Sequence, residues 1–75
     1  MEVLNSPRAL GDVIRRRRRA LGLSQDDLAL TIGVDRRVIG QLERGKETVR
    51  ADIAFRAAQA VGLDLVAVVR GASGA

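Results

Sequence analysis

The stretch "SQDDLALTIGVDRRVIGQLERG", Ser24 to Gly45, contains two short helical patterns separated by a glycine. Ser24, followed three residues later by Asp27, is a short form of the capping box that starts a helix. Asp35 is a cap of the same kind for the second helix. Gly33, between the two patterns, permits the left-handed backbone of a sharp turn. The stretch therefore predicts two short helices joined by a tight turn.

Small and aliphatic residues in this stretch meet the steric demands of a helix-turn-helix. Ala29 is small enough for two helix backbones to cross closely, and Gly33 follows it by four residues. Val34, Ile39 and Leu42 are then placed to anchor the second helix on the first. We therefore interpret residues 24–45 as a helix-turn-helix unit.

The outer face of the second helix is basic and polar. At about 100° per residue, Val38, Ile39 and Leu42 cluster on one side of it. A glycine inside a helix costs roughly 1 kcal/mol relative to alanine. Close approach to the floor of a DNA major groove would explain that glycine, and a locally weak helix without a purpose is the alternative. The opposite side carries Arg36, Arg37, Gly40, Gln41 and Arg44.

This composition predicts contacts with double-stranded DNA. Arginine pairs bidentately with guanine, and glutamine pairs with adenine, on their major-groove edges. We therefore expect base contacts from Arg36, Arg37 and Gln41, with Gly40 at the point of closest approach. Residues at the ends of the two helices are better placed for phosphates. The expected phosphate contacts are Ser24, Gln25, Arg44, Lys46 and Arg50.

The flanking segments predict further helices. Ser6 and Pro7 are a start signal for a helix over about residues 7–21. Its inner side is expected to consist of Leu10, Val13, Ile14 and Leu21. A later helix ends at Gly62, with Phe55 expected to pack beside its inner face. That face is expected to consist of Ile53, Ala54, Ala57, Ala58 and Val61.

Five consecutive arginines, Arg15 to Arg19, span more than one helical turn and cannot share a face. Arg18 lies at the edge of the core side, where its natural partner is Glu43, so a partly buried structural ion pair is predicted. Arg17 is expected to run along the rim of the core. Arg15, Arg16 and Arg19 are interpreted as solvated, with a phosphate contact by one of them as the alternative.

The segment "LDLVAVVR", residues 63–70, is β-branched and short, which favours a strand. A lone strand leaves its amides unpaired, so pairing with the same strand of a second molecule would give a symmetric homodimer. A continued helix or a frayed tail on the core are the alternatives. The predicted dimer strand consists of Leu65, Val66, Ala67, Val68 and Val69.

The predicted organisation follows from these segments. We expect a flexible arm over residues 1–5 and a DNA-binding domain over residues 6–63. After this domain, we expect a dimerisation strand over residues 64–70 and a disordered tail over residues 71–75.

Composition limits the possible functions of the chain. Its 75 residues make one domain, and 13 Lys and Arg against 9 Asp and Glu give a net charge of +4. Twelve of these bases are arginine, which favours a polyanionic partner, although simple solubility is the alternative. Without histidine or cysteine, we expect no enzyme, metal site or cofactor. The absence of cysteine suits a reducing cytoplasm, so a cytoplasmic protein is expected. No apolar run is long enough for a membrane span, and the N-terminus lacks the apolar region of a signal peptide.

Residues 22–46, "GLSQDDLALTIGVDRRVIGQLERGK", resemble the lambda-repressor-like, Xre-type helix-turn-helix family. The "GLSQ", "IGV" and "LERGK" signatures of that family stand at residues 22–25, 32–34 and 42–46. With the preceding "IRRRRRAL" and the following "RADIAFRAAQAVGLDLVAV", the resemblance is closest to HipB-type antitoxin repressors. It covers about residues 8–69, nearly the whole chain.

The resemblance implies an all-α, four- to five-helix domain that binds a palindromic operator as a dimer and represses its own operon. By position, the DNA-contacting sites of the family fall on Gln25, Arg36, Arg37 and Gln41. Its structural ion pair falls on Arg18 and Glu43. In the HipB-like branch, the C-terminal strands form an intermolecular sheet, and the partner is a HipA-type kinase toxin. A solitary Xre-type regulator and a basic module that binds an acidic partner are the alternative functions.

Overall fold

Four α-helices make up the architecture of residues 1–71, the part of the chain that the computed structural model describes. They are α1 (Pro7–Ala20), α2 (Gln25–Ile32), α3 (Arg36–Glu43) and α4 (Ala51–Ala60). The predicted all-α class is confirmed. No helix within these residues is both long and apolar enough to cross a membrane.

The helices begin at the caps that the sequence predicts. The Ser6 hydroxyl accepts the amide of Ala9 at 3.1 Å at the start of α1. At α2, Ser24 and Asp27 form the reciprocal capping box, with bonds of 3.0 and 2.8 Å. The Asp35 carboxylate accepts the amide of Arg37 at 2.8 Å and caps α3. Local side-chain chemistry therefore fixes three of the four helix starts.

The turn between α2 and α3 depends on a left-handed glycine. Gly33 has φ of 74° and is the C-terminal cap of α2. The amides of Gly33 and Val34 both donate to the carbonyl of Ala29, at 2.9 and 3.0 Å. These bonds close the end of α2 and direct the chain into α3.

The core lies among all four helices. Ile14 of α1, Leu28 of α2 and Ile39 of α3 are fully buried, as is Val61 just after α4. α3 packs against both α1 and α2, and α4 packs against α2. The packing of α1 on α3 depends on Gly11, where a Cβ atom would lie 2.3 Å from the carbonyl oxygen of Leu42. α3 is therefore held on two sides while its remaining face stays open.

Two core predictions are wrong. Leu21 is 48% exposed, because α1 ends at Ala20 and the position one turn after Ile14 on the core side belongs to Arg18. Phe55 is 52% exposed, because the buried face of α4 passes through its alanines and leaves the ring outside the core.

The C-terminal segment, residues 64–70, runs without helix or strand in the single described chain, and its side chains are exposed. The dimer strand therefore stays a prediction. The arm, residues 1–5, also has no helix or strand. Of the predicted tail over residues 71–75, residues 72–75 lie outside the described part.

Candidate nucleic-acid interface

Two adjacent arginines are exposed at the start of α3. The side chain of Arg36 is 65% exposed and that of Arg37 is 87% exposed. The opposite side of the helix carries Ile39 and Leu42, which are buried in the core. Asp35 holds this end of the helix, and the amide of Arg37 lowers the pKa of its carboxyl, so the cap stays charged. The helix therefore presents two guanidinium groups from a fixed backbone.

These arginines make only loose contacts within the protein. Arg36 Nε lies 3.6 Å from Asp26 Oδ1, and Arg37 Nε lies 3.4 Å from Asp35 Oδ1. Exposed pairs of this kind contribute about 0–1 kcal/mol. Both side chains can therefore exchange these partners for a base edge or a phosphate at little cost.

Gly40 lies at the centre of the site and is buried by the protein's own side chains. A Cβ atom there would meet Arg44 Nη1 at 3.2 Å and Gln25 Oε1 at 4.0 Å. This differs from the open position that the helical pattern suggests, because Arg44 lies across the glycine. Gln41, the third expected base contact, is half-buried. Close approach of a ligand to Gly40 requires the exposed side chain of Arg44 to move aside.

The predicted ion pair between Arg18 and Glu43 is present and buried. Arg18 Nε donates to Glu43 at 2.7 Å and Nη2 donates at 2.9 Å, while Nη1 donates to the carbonyl of Leu23 at 2.8 Å. Gln25 Nε2 also donates to Glu43, at 3.2 Å. Burial acts to raise the pKa of Glu43, but these hydrogen bonds and the charges of Arg18 and Arg15 hold it below its usual value. One ionised carboxylate therefore joins α1, α2 and α3.

The expected phosphate contacts at the start of α2 already make bonds within the protein. Ser24 is engaged in the capping box, although its hydroxyl hydrogen can still donate. Gln25 is half-buried and directed by Glu43, with Oε1 near Gly40. The ion pair of Arg36 with Asp26 places this end of α2 beside the start of α3. The two helix starts therefore form one continuous polar surface.

The remaining expected phosphate contacts divide into two groups. Arg44 and Lys46 are exposed directly after α3, next to the rest of the site. Arg50 instead pairs with Asp52 at 3.0 Å at the start of α4. Within residues 1–71, no hydrogen bond or ion pair connects Arg50 with α3. The structure brings Arg44 and Lys46 into the site and leaves Arg50 apart.

The sequence analysis missed one arginine that supports the end of α2 from the neighbouring helix α4. Arg56 of α4 donates to the carbonyl of Ile32, at the end of α2. The last turn of α2 has no basic residue of its own. That lack was the one feature of the sequence that could have indicated a base supplied by another helix. Arg56 therefore supplies positive charge where the α2 dipole favours it.

The model of the family described as Helix-turn-helix (HTH_3) matches residues 14–68 of the chain. The chain belongs to this family of DNA-binding transcription regulators. A curated relative, an uncharacterized HTH-type transcriptional regulator of Methanothermobacter thermautotrophicus, is 42% identical over 50 residues. These residues are 67% of this chain and 72% of the relative.

Solved structures with a similar fold include complexes of HipB. The HipB-O4 20mer complex matches with a TM-score of 0.83 at 21% identity, over 93% of this chain and 99% of that chain. The HipA-HipB-O2-O3 complex matches with a TM-score of 0.84 at the same identity and coverage. At this identity, the likeness shows a shared fold, so the expected resemblance to HipB-type proteins is confirmed at the level of architecture.

Proposed function

We propose that this chain is a sequence-specific transcriptional repressor that inserts α3 into the major groove of its operator. The observation that carries the proposal is the exposure of Arg36 and Arg37 at the capped start of a helix whose other face is buried. The major groove admits one α-helix, and arginine reads guanine there. The family of the chain and its basic balance support the same function.

Within this proposal, the position of each residue decides whether it contacts a base or a phosphate. Arg36, Arg37 and Gln41 contact base edges, and Gly40 lies closest to the groove floor once Arg44 has moved. The phosphate contacts come from the start of α2, where free amides favour anions, and from basic side chains after the end of α3. They are Ser24, Gln25, Arg44, Lys46 and, from the start of α4, Arg50.

The proposed repressor is a homodimer on a palindromic operator. An apolar groove of about 1070 Å³ runs between the two terminal segments and is lined by Phe55, Leu65, Val66 and Val68 among others. Exposed apolar surface of this kind is typical of an interaction site. Pairing of residues 64–70 across a two-fold axis would cover the groove. It would also place the two α3 helices roughly 34 Å apart, on successive major grooves.

A role as the antitoxin of a HipBA-type operon extends this proposal. The sequence motifs and the fold shared with HipB support it. The named relative, an HTH-type transcriptional regulator, supports the second candidate, a solitary regulator. The neighbouring gene distinguishes them. A kinase-like product that co-purifies with this chain supports the antitoxin role, and the absence of such a gene contradicts it.

The DNA-binding function is tested by titrating the chain with two duplexes of equal length over a range of salt. One contains the region upstream of its own gene, and the other has a random sequence. We expect nanomolar-range binding to the first, with a steep salt dependence. Arg37→Ala should relax base preference, because it removes a base contact. Lys46→Ala should weaken binding to both duplexes alike and reduce the salt slope by about one unit.

Arg16→Ala is the matched control, because Arg16 is held by Glu2 at 2.7 Å on the outside of α1. It should bind both duplexes as the unchanged chain does. Equal losses on both duplexes for Arg37→Ala would contradict its role as a base contact, and a loss confined to the upstream duplex for Lys46→Ala would contradict its role as a phosphate contact. Equal affinity of the unchanged chain for both duplexes would contradict sequence-specific recognition itself.

A further inference from the structure

We infer that Arg8 and Arg15 of α1 join Arg44 and Lys46 in a basic seam that holds the DNA phosphate backbone beside the C-terminal end of α3. This inference rests on the proposed DNA-binding function and extends its surface to a helix outside the helix-turn-helix unit. The four residues are called the basic seam below.

The close packing of α1 on α3 places the two α1 arginines. A Cβ atom at Gly11 would lie 2.3 Å from the carbonyl oxygen of Leu42, so the α1 backbone touches the last turn of α3. Arg8 and Arg15 stand three residues before and four residues after Gly11, and therefore share its helix face. Both are exposed, so they flank the end of α3 on the solvent side of this contact.

A second contact fixes Arg8 independently. A Cβ atom at Gly45 would lie 2.6 Å from the Cα atom of Arg8. Gly45 stands between the two other members of the seam, Arg44 and Lys46. The start of α1 is therefore in direct contact with the loop that carries those two bases.

Arg15 is near the same end of α3. Its charge contributes to the lowered pKa of Glu43, the last residue of α3. Glu43 is buried and already neutralised by Arg18. Its carboxylate therefore does not serve as a surface counter-ion for Arg15.

The basic seam has a surplus of positive charge. Within the described residues, none of its four members forms an ion pair, whereas Arg16 is paired with Glu2 and Arg18 with Glu43. The exposed acids nearest in sequence are Glu47, after Lys46, and Asp12, on α1. The seam therefore has four bases, and neither of these acids is bound to them.

The position of Arg8 makes the excess positive charge of the basic seam electrostatically unfavourable when no anion is bound. It lies in the first turn of α1, where the helix dipole disfavours a cation and where no acid is present. A phosphate beside Arg8 relieves this cost and the mutual repulsion of the seam. With α3 in a groove about 12 Å wide, elements at its end lie over the flanking phosphates. Geometry and charge thus favour a nucleic-acid backbone as the ligand.

The test measures the salt dependence of binding for Arg15→Gln and Arg8→Gln on the two duplexes described above. Each variant should weaken binding several-fold on both duplexes alike, because phosphates are not read as sequence. Each should also reduce the salt slope by about 0.9 for every phosphate that it no longer neutralises. Arg15→Lys, which retains the charge, should restore most of the slope.

Arg16→Gln is the matched control, since it removes the same charge from a neighbouring position outside the seam. An unchanged slope for Arg15→Gln and Arg8→Gln would overturn the inference. So would an equal loss for Arg16→Gln, which would indicate a general effect of net charge. Failure of the unchanged chain to bind either duplex would instead overturn the proposed function, and circular dichroism of each variant verifies that it is folded.

Discussion

Side chains from two helices, α1 and α2, meet at the carboxylate of Glu43, the last residue of α3. Arg18 of α1 donates two hydrogen bonds to it, and Gln25 of α2 donates a third. The side chains of Arg18 and Glu43 are 8% and 3% exposed, so water contributes little to either charge. Removing one partner of such a pair leaves a buried charge unpaired, which is far more costly than the net value of the pair itself.

We therefore expect Glu43→Gln to lower the free energy of unfolding by about 3 kcal/mol at neutral pH. Urea titration followed by circular dichroism measures the change, since the chain has no tryptophan. Glu47→Gln, at an exposed position, is the control and should be close to neutral. A loss under about 1 kcal/mol for Glu43→Gln would show that Arg18 finds water or another acceptor.

The same pair has a defined pH dependence. The pKa of Glu43 in the folded chain is lower than its ordinary value of 4.5. Its stabilisation is therefore complete above about 4.5 and is lost as the pH falls through the lower folded value. Asp27 and Asp35, whose pKa values are also lowered, act in the same direction. Glu43→Gln should consequently show a shallower loss of stability in acid than the unchanged chain.

At the scale of the helical elements, arginines from other helices close the ends of two helices that have no base in their last turn. α2 and α3 have eight residues each, a length that is marginal in isolation. Arg56 of α4 donates to the last carbonyl of α2, and Arg17 of α1 donates at 3.1 Å to the carbonyl of Val61 after α4. Each of these contacts also joins two elements that are distant in sequence.

Arg56→Met should lower the free energy of unfolding by about 1.5 kcal/mol, because it removes a charged donor while retaining much of the apolar stem. Chemical denaturation again measures the effect. Arg70→Met, in the exposed C-terminal segment, is the matched control and should change stability by less than about 0.5 kcal/mol. Equal stability of the two variants would mean that the carbonyl of Ile32 is satisfied without Arg56.

At the scale of the whole molecule, features that depend on neighbouring residues in the sequence could be predicted better than features that depend on contacts between distant segments. The caps at Ser6, Ser24 and Asp35 and the turn at Gly33 act within a few residues, so the sequence alone placed the helices and the exposed arginines of α3. Leu21 and Phe55 were misplaced, because burial depends on where another helix passes. The tertiary contacts of Gly11 and Arg56 were missed for the same reason.

The proposed dimer also belongs to the scale of the whole molecule, because residues 64–70 pair with no strand among residues 1–71 of the same chain. Ala67→Pro removes an amide from the middle of the segment, so it should weaken strand pairing and shift the chain toward monomer. Sedimentation at several concentrations measures the shift. Ala67→Ser retains the amide and is the control. If the two variants form dimers with the same dissociation constant, the association does not depend on strand pairing.

The loose contacts of Arg36 and Arg37 with Asp26 and Asp35 have a practical consequence. Neither arginine takes part in the buried network around Glu43, so exchange of these two side chains leaves the scaffold intact. Under the proposed function, the first turn of α3 is therefore the segment to vary in a library that would retarget the protein to new operators. Glu43 and Arg18 would stay fixed in every member of that library.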